Sequence, residues 1–219
     1  MSNNTTSAAL PSPTGIFLSA LALASRFLGG SPPADQGQIH TSLPDGYKVV
    51  DLTWSGPITD SGPEETFTGA SMRDIETKIL AAHPDFKFPT VNATSLEEGL
   101  AKRDKDHLTC KPGVPGEFWY AEKRYIDAGI EYLAGKTGKC SIDAGPRTCS
   151  RISCSYDSGI YWCNDNPERI EENCLLFSHY AQDIVDECTF THGGIEQLMG
   201  QEFSTSSWNI MAVWSKDHC

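Results

Sequence analysis

CSRISCSYDSGIYWCNDNPERIEENCLLFSHYAQDIVDEC, residues 149 to 188, holds five of the eight cysteines of this chain. Arg151 to Tyr156 and Ile160 to Asp165 are short runs rich in strand formers, separated by Asp-Ser-Gly, and read as a tight β-hairpin. A two-residue loop at Ser158-Gly159 sets Tyr156 opposite Tyr161 and Cys154 opposite Cys163. That register puts both cysteines, Ile152 and both tyrosines on a core face. Ile160 and Trp162 fall on the other face with Ser153 and Ser155, half-covered or exposed.

Asn166 followed by Pro167 and Glu168 is a helix start signal. The inward stripe is then Ile170, Cys174, Phe177, Ala181, Ile184 and Cys188, stepping by four and three. Cys174 and Cys188 lie about 21 Å apart along such a helix. A cystine tolerates roughly 7 Å between Cα atoms, so these two do not pair with each other. Cys154 and Cys163, about 5 Å apart across the hairpin, cannot both reach opposite ends of the helix. At most one of them bonds to it, and the rest must use Cys110, Cys140, Cys149 or Cys219.

All eight cysteines, Cys110, Cys140, Cys149, Cys154, Cys163, Cys174, Cys188 and Cys219, sit in the second half of the 219 residues. The count is even and no Cys-x-x-Cys or Cys/His metal spacing occurs, which points to structural disulfides and an oxidising compartment. A secretion signal is therefore expected at residues 1–24, where GIFLSALALA (Gly15 to Ala24) ends in a small-x-small cleavage pattern. Residues 25–44 read as a disordered Gly/Ser/Pro linker. No later run approaches the ~20 apolar residues of a transmembrane helix. The formal charge of −12 argues against a nucleic-acid partner, because phosphate contacts need Lys and Arg.

Residues 45–107 read as an N-terminal ββα unit. KVVDLTW (Lys48 to Trp54) alternates as a strand, Gly56 to Pro63 is a loop, and Thr66 to Thr68 returns as a second strand. Ser71 and Asp74 resemble a capping box before Met72, Ile75, Ile79 and Ala82, and Pro84 ends the helix. Asn92-Ala93-Thr94 is an N-glycosylation sequon, meaningful in a secreted chain. Glu97 to His107 is charged and reads as exposed.

Residues 108–219 form a cysteine-rich α-β-β-α-β arrangement sharing a core with that unit. Its first helix carries Trp119, Ile126, Ile130 and Leu133, with Gly129 at a close packing point and Gly135 at the left-handed position past the end. Gly138 to Arg147 reads as a loop. Trp208 to Trp214 (WNIMAVW) is apolar on both sides, as a central strand should be. The fold class is α+β: a disulfide-stabilised α/β sandwich, an antiparallel sheet packed by two or three helices.

No nucleophile elbow, P-loop or dinucleotide motif occurs, so no catalytic, cofactor-binding or metal-ligating residue is assigned. His192-Gly193-Gly194 reads as a turn, and Asn164-Asp165-Asn166 as helix capping rather than a calcium loop. His179 reads as a solvated residue on the polar helix face.

The series CSRISCSYDSGIYWCNDN, with the later Trp208-Asn209, KVVDLTW and Thr68-Gly69 before a helix, resembles small secreted cysteine-rich fungal proteins. Element order and cysteine usage are also similar to those of fungal killer toxins and necrosis-inducing effectors. The resemblance implies an extracellular, monomeric effector-like or toxin-like protein that binds a host, competitor or cell-surface target without catalysis. Two other readings are a hydrolase whose site assembles only in three dimensions, and a carbohydrate- or wall-binding module using exposed aromatics. Burial of every Trp would count against the last.

Overall fold

A computed structural model of the chain describes residues 43–44, 46–59, 62–90, 104–110, 120–215 and 219. The expected signal segment, most of the linker, Asn92 and Trp119 lie outside the described residues. Contacts divide the chain into Met1–Gln38, outside the described residues, and Ile39–Cys219. All that follows concerns the second unit.

Thirteen strands and three helices are present among the described residues. The strands are β1 (Lys48–Val49), β2 (Leu52–Pro57), β3 (Glu64–Gly69), β4 (Lys105–Cys110), β5 (Ala121–Glu122), β6 (Lys139–Ile142), β7 (Thr148–Ser155), β8 (Ser158–Asn164), β9 (Ile170–Asn173), β10 (Phe190–His192), β11 (Ile195–Leu198), β12 (Gly200–Ser204) and β13 (Trp208–Trp214). The helices are α1 (Met72–Ala82), α2 (Lys123–Ala134) and α3 (Leu176–Cys188). The fold is mixed α/β and mainly sheet, but the strands form three sheets rather than one. These are β1-β7-β8-β13-β12-β4, β3-β2-β6-β9 and β10-β11-β5. The β1–β7 pair is parallel and all others are antiparallel.

β13 is buried along nearly its whole length between β8 and β12, so WNIMAVW is a central strand covered on both faces. One large buried cluster joins Ile152, Ile160, Trp162 and Trp208 of the six-stranded sheet to Leu52 and Trp54 of β2. It also takes in Met72, Ile75 and Ile79 of α1, Ile126 and Leu133 of α2, and Phe177 and Ile184 of α3. The other side of the large sheet carries a smaller cluster of Leu43, Cys149, Tyr161, Cys163, Met199, Met211 and Val213.

Several expectations are corrected. The hairpin turns at Tyr156-Asp157, not Ser158-Gly159, since Ser155 faces Ser158. Both turn residues have positive φ (45° and 59°), the geometry that matches the twist of the flanking strands. A bulge between Arg151 and Ser153 changes the parity of β7; an extra residue does this wherever it is inserted. Cys163 therefore faces Cys149, and Cys154 faces Gly159. Ile152 joins Ile160 and Trp162 in the larger cluster, and Trp162 is fully buried rather than half-covered.

The helix expected from Asn166 begins only at Leu176. Asn164 competes with it: its side-chain oxygen accepts from Asn166 N at 2.8 Å, while Nδ2 donates to Asp143 O and Glu168 O. That side-chain turn is the ordinary alternative to helix for Asn. Residues 170–173 then pair with β6, which occupies part of the expected loop 138–147. Lys48 to Trp54 breaks at Val50-Asp51 into two strands of different sheets, and β2 runs on to Pro57. Asp106 and His107 are exposed, as the charge pattern suggests, but within strand β4. Gly135 has φ −94° and is not left-handed.

Four disulfides close the frame: Cys110–Cys188, Cys140–Cys174, Cys149–Cys163 and Cys154–Cys219. Cys174 and Cys188 use different partners, as their spacing requires, and neither hairpin cysteine bonds to the helix. Cys140–Cys174 ties β6 to the turn before α3, and Cys110–Cys188 ties the edge strand β4 to its last residue.

Two other local readings hold. Ser71 caps α1 by accepting from Asp74 N at 3.2 Å, and Asp74 accepts from Ala70 N at 3.1 Å. Gly129 brings α2 onto the sheet: a Cβ there would meet Ser153 Oγ at 2.8 Å and Ile160 Cδ1 at 3.0 Å. Gly129→Ala should lose more by overpacking, about 1–3 kcal/mol, than the ~1 kcal/mol gained in helix propensity. A lowered melting temperature in calorimetry is the expected result; a raised one would show that α2 does not sit that close.

Candidate functional site

Beyond Cys149, β7 has no strand neighbour on its outer side among the described residues, because β1 pairs only with Thr148 and Cys149. A cleft of about 300 Å³ lies along this open edge. Ser71 and Arg73 of the start of α1, Tyr132 of α2, and Arg151, Ser153 and Ser155 of β7 line it, with the Cys154–Cys219 cystine as part of its wall.

Two linked groups hold its α1–α2 side. Tyr132 donates to Glu76 Oε2 at 2.6 Å and Lys136 to Glu76 Oε1 at 2.7 Å. Burial would raise the Glu76 pKa, but these two donors outweigh it and hold the carboxyl below its usual range. Burial and the neighbouring Glu76 carboxylate push the Tyr132 phenol well up. Lys136 lies 4.1 Å from the Tyr132 ring centroid and Arg73 5.5 Å from it. Tyr132 is thus fixed by a carboxylate at its hydroxyl and by cations at its face.

At the hairpin end of the cleft, Tyr156 follows Ser155. Its ring stacks on Tyr125 with centroids 4.5 Å apart and planes 18° apart. Tyr125 and Tyr132 are two turns apart on α2, so the same helix supplies both ends. Arg124 sits 4.5 Å from the Tyr125 ring centroid and pairs with Glu122 at 2.8 Å. Tyr156 is 71% exposed, the most open large hydrophobic side chain among the described residues.

A second polar cluster lies under α3. Glu202 of β12 is 4% exposed; Lys105 Nζ is 3.9 Å from its Oε1 and is itself bonded to Asp183. Burial, with the negative Asp183 adding to it and Lys105 opposing, pushes the Glu202 carboxyl up to about 8. Tyr180 stands beside them with its ring centroid 5.2 Å from Lys105 Nζ. Glu172 accepts from Trp208 Nε1 at 3.0 Å, and burial raises its carboxyl above the usual range. Glu202 is closed to solvent, whereas Glu172, with Glu171 and Lys139, lines a second depression of about 440 Å³.

The motifs singled out from sequence lie elsewhere. Gly193 and Gly194, both at positive φ, make the turn between β10 and β11. Asn164, Asp165 and Asn166 fasten loops: Asp165 Oδ2 accepts from Asn209 Nδ2 at 2.7 Å, and Asn166 Nδ2 donates to Ser206 and Ser207 carbonyls. His179 is half-buried on α3. Trp54, Trp162 and Trp208 are buried, which removes them as sugar-binding surfaces. Sequence pattern pointed to none of the cleft residues. Among the described residues no helix is long and apolar enough to cross a membrane. No family model, curated protein or solved structure matches the chain.

Proposed function

We propose that this is an extracellular, disulfide-framed protein, effector-like or toxin-like, that acts by binding a host, competitor or cell-surface target at the cleft beside β7. The four disulfides support an oxidising compartment. The resemblance of the hairpin series to small secreted fungal proteins supports the class, and with it the reading of the layers as an α/β sandwich. One observation carries the binding reading. The concavity beside β7 presents guanidinium, hydroxyl and aromatic groups and, among the described residues, no carboxylate side chain, and Glu202, whose carboxyl is pushed up furthest, is sealed from solvent.

The test is a turnover assay on the oxidised full chain with polysaccharide, RNA and peptide substrates. Binding without products is expected. Sustained turnover that Glu202→Gln or Asp183→Asn abolishes would overturn the reading in favour of a hydrolase.

A further inference from the structure

The turn at the mouth of the cleft places a tyrosine where its backbone favours Gly, Asn or Asp. Both Tyr156 and Asp157 adopt positive φ; Asp tolerates it, but a bulky tyrosine there is strained. Such strain persists where surrounding structure and use retain it. Here it holds a tyrosine ring 71% open to solvent, with Tyr125 stacked against one side. The result is a flat, rigid platform of the kind a sugar ring covers with its C–H face, burying apolar area on both partners.

The charged side chains that line the cleft, Arg73 and Arg151, are both cations, in a chain whose formal charge is −12. Guanidinium groups match planar or tetrahedral oxyanions through paired N–H donors. The carboxylates around them have partners: Glu76 is held by Tyr132 and Lys136, Glu122 by Arg124, and Asp74 by Lys78 at 2.9 Å. Ser153 and Ser155 add hydroxyls along the floor.

We infer that the cleft takes an anionic saccharide, one sugar ring lying on Tyr156 and its carboxylate or sulfate meeting Arg73. The inference rests on the binding reading above and names its ligand class. Carboxylate and sulfate esters share the recognition chemistry, so the experiment separates them.

Calorimetric titration of the oxidised full chain uses three probes of equal length: an oligogalacturonate, a chondroitin sulfate oligosaccharide and a neutral chito-oligosaccharide. At least one anionic probe should bind, about tenfold or more tightly than the neutral one, with affinity falling as salt rises. Tyr156→Ala and Arg73→Gln should each weaken it by about tenfold. Circular dichroism checks that each variant is folded; Arg73 and Tyr156 are both exposed, so neither change removes core packing. Tight binding of the neutral probe with the same Tyr156 dependence would overturn the anionic inference and leave the binding reading standing. Binding of an acidic peptide in place of every saccharide, or anionic binding indifferent to both variants, would overturn it as well. Hydrolysis of a probe would instead bring down the binding reading.

Discussion

Replacing Cys110 and Cys188 together by alanine should lower the unfolding free energy by about 4–5 kcal/mol. The two residues are separated by 78 positions, and the loop-closure entropy lost from the unfolded chain grows with the logarithm of that length. The cystine also has a local task. β4 is an outer strand of the six-stranded sheet and, among the described residues, pairs only with β12. Lys105, bonded to Asp183, pins its beginning to α3, and Cys110 pins its end to the last residue of the same helix. Without the cystine, β4 should fray from its Cys110 end. Denaturant unfolding of the oxidised parent and variant measures the loss, and amide exchange locates it. A loss under about 1 kcal/mol would mean that packing alone fixes β4.

The second large effect concerns pH. Glu202 has an ordinary pKa in the unfolded chain and one pushed up to about 8 in the fold. Below the unfolded value both states are protonated, and the carboxyl does not favour either. Between that value and about 8 the native state holds a proton that the unfolded state has released. Stability contributed by neutral Glu202 is therefore fully present in acid and lost as pH rises, by up to roughly 1.4 kcal/mol per pH unit. The groups facing it are Lys105 from β4, Asp183 and Tyr180 from α3, and Ser204 on its own strand, with Glu172 of β9 and Asp104 beyond Tyr180. Glu202→Gln keeps the shape without the titration. The stability difference, variant minus parent, should be smallest near pH 4 and grow in the variant's favour up to about pH 8, reaching several kcal/mol as an upper bound. Parallel stability curves across that range would show that Glu202 stays ionised in the fold. Glu76, held low by its donors, works the other way, gaining stability above its unfolded pKa and losing it as pH falls; it is present in both proteins and cancels in the difference.

The elements legible in sequence are those whose local signals agree with their surroundings. Ser71 capping α1, the α2 stripe of Ile126, Ile130 and Leu133, and the two-faced β13 all have this property. The failures have one physical pattern: a local signal lost to a tertiary one. Asn166-Pro167-Glu168 has helix-start chemistry, yet Asn164 turns the chain and β6 recruits residues 170–173 into a ladder. The hairpin register depends on a bulge at Ile152 and on positive φ at Tyr156 and Asp157, and neither residue type announces it. The spacing argument for Cys174 and Cys188 survived because Leu176 to Cys188 is still helical, which keeps them about 18 Å apart along the axis, and the two cysteines found separate partners.

The cleft was not legible at all. Its groups come from α1, α2 and β7, spread over more than 80 residues of the chain from Ser71 to Ser155. Arg73, Tyr125 and Tyr132 look in sequence like ordinary exposed helix residues. The one available signal was Tyr156 before Asp157 between two strands, a tyrosine at a turn position where Gly, Asn or Asp is preferred.

The most direct test of binding beside β7 is a backbone NMR titration of the ¹⁵N-labelled oxidised chain with the oligogalacturonate, the chondroitin sulfate oligosaccharide and the neutral chito-oligosaccharide. Saturable shifts centred on Ser71 to Arg73, Tyr125 and Ser153 to Asp157 are predicted with at least one anionic saccharide. Shifts there with the neutral one alone would overturn the anionic inference, and shifts centred instead on the β10–β11 turn or on β3, or none with any of the three at millimolar concentration, would contradict the account.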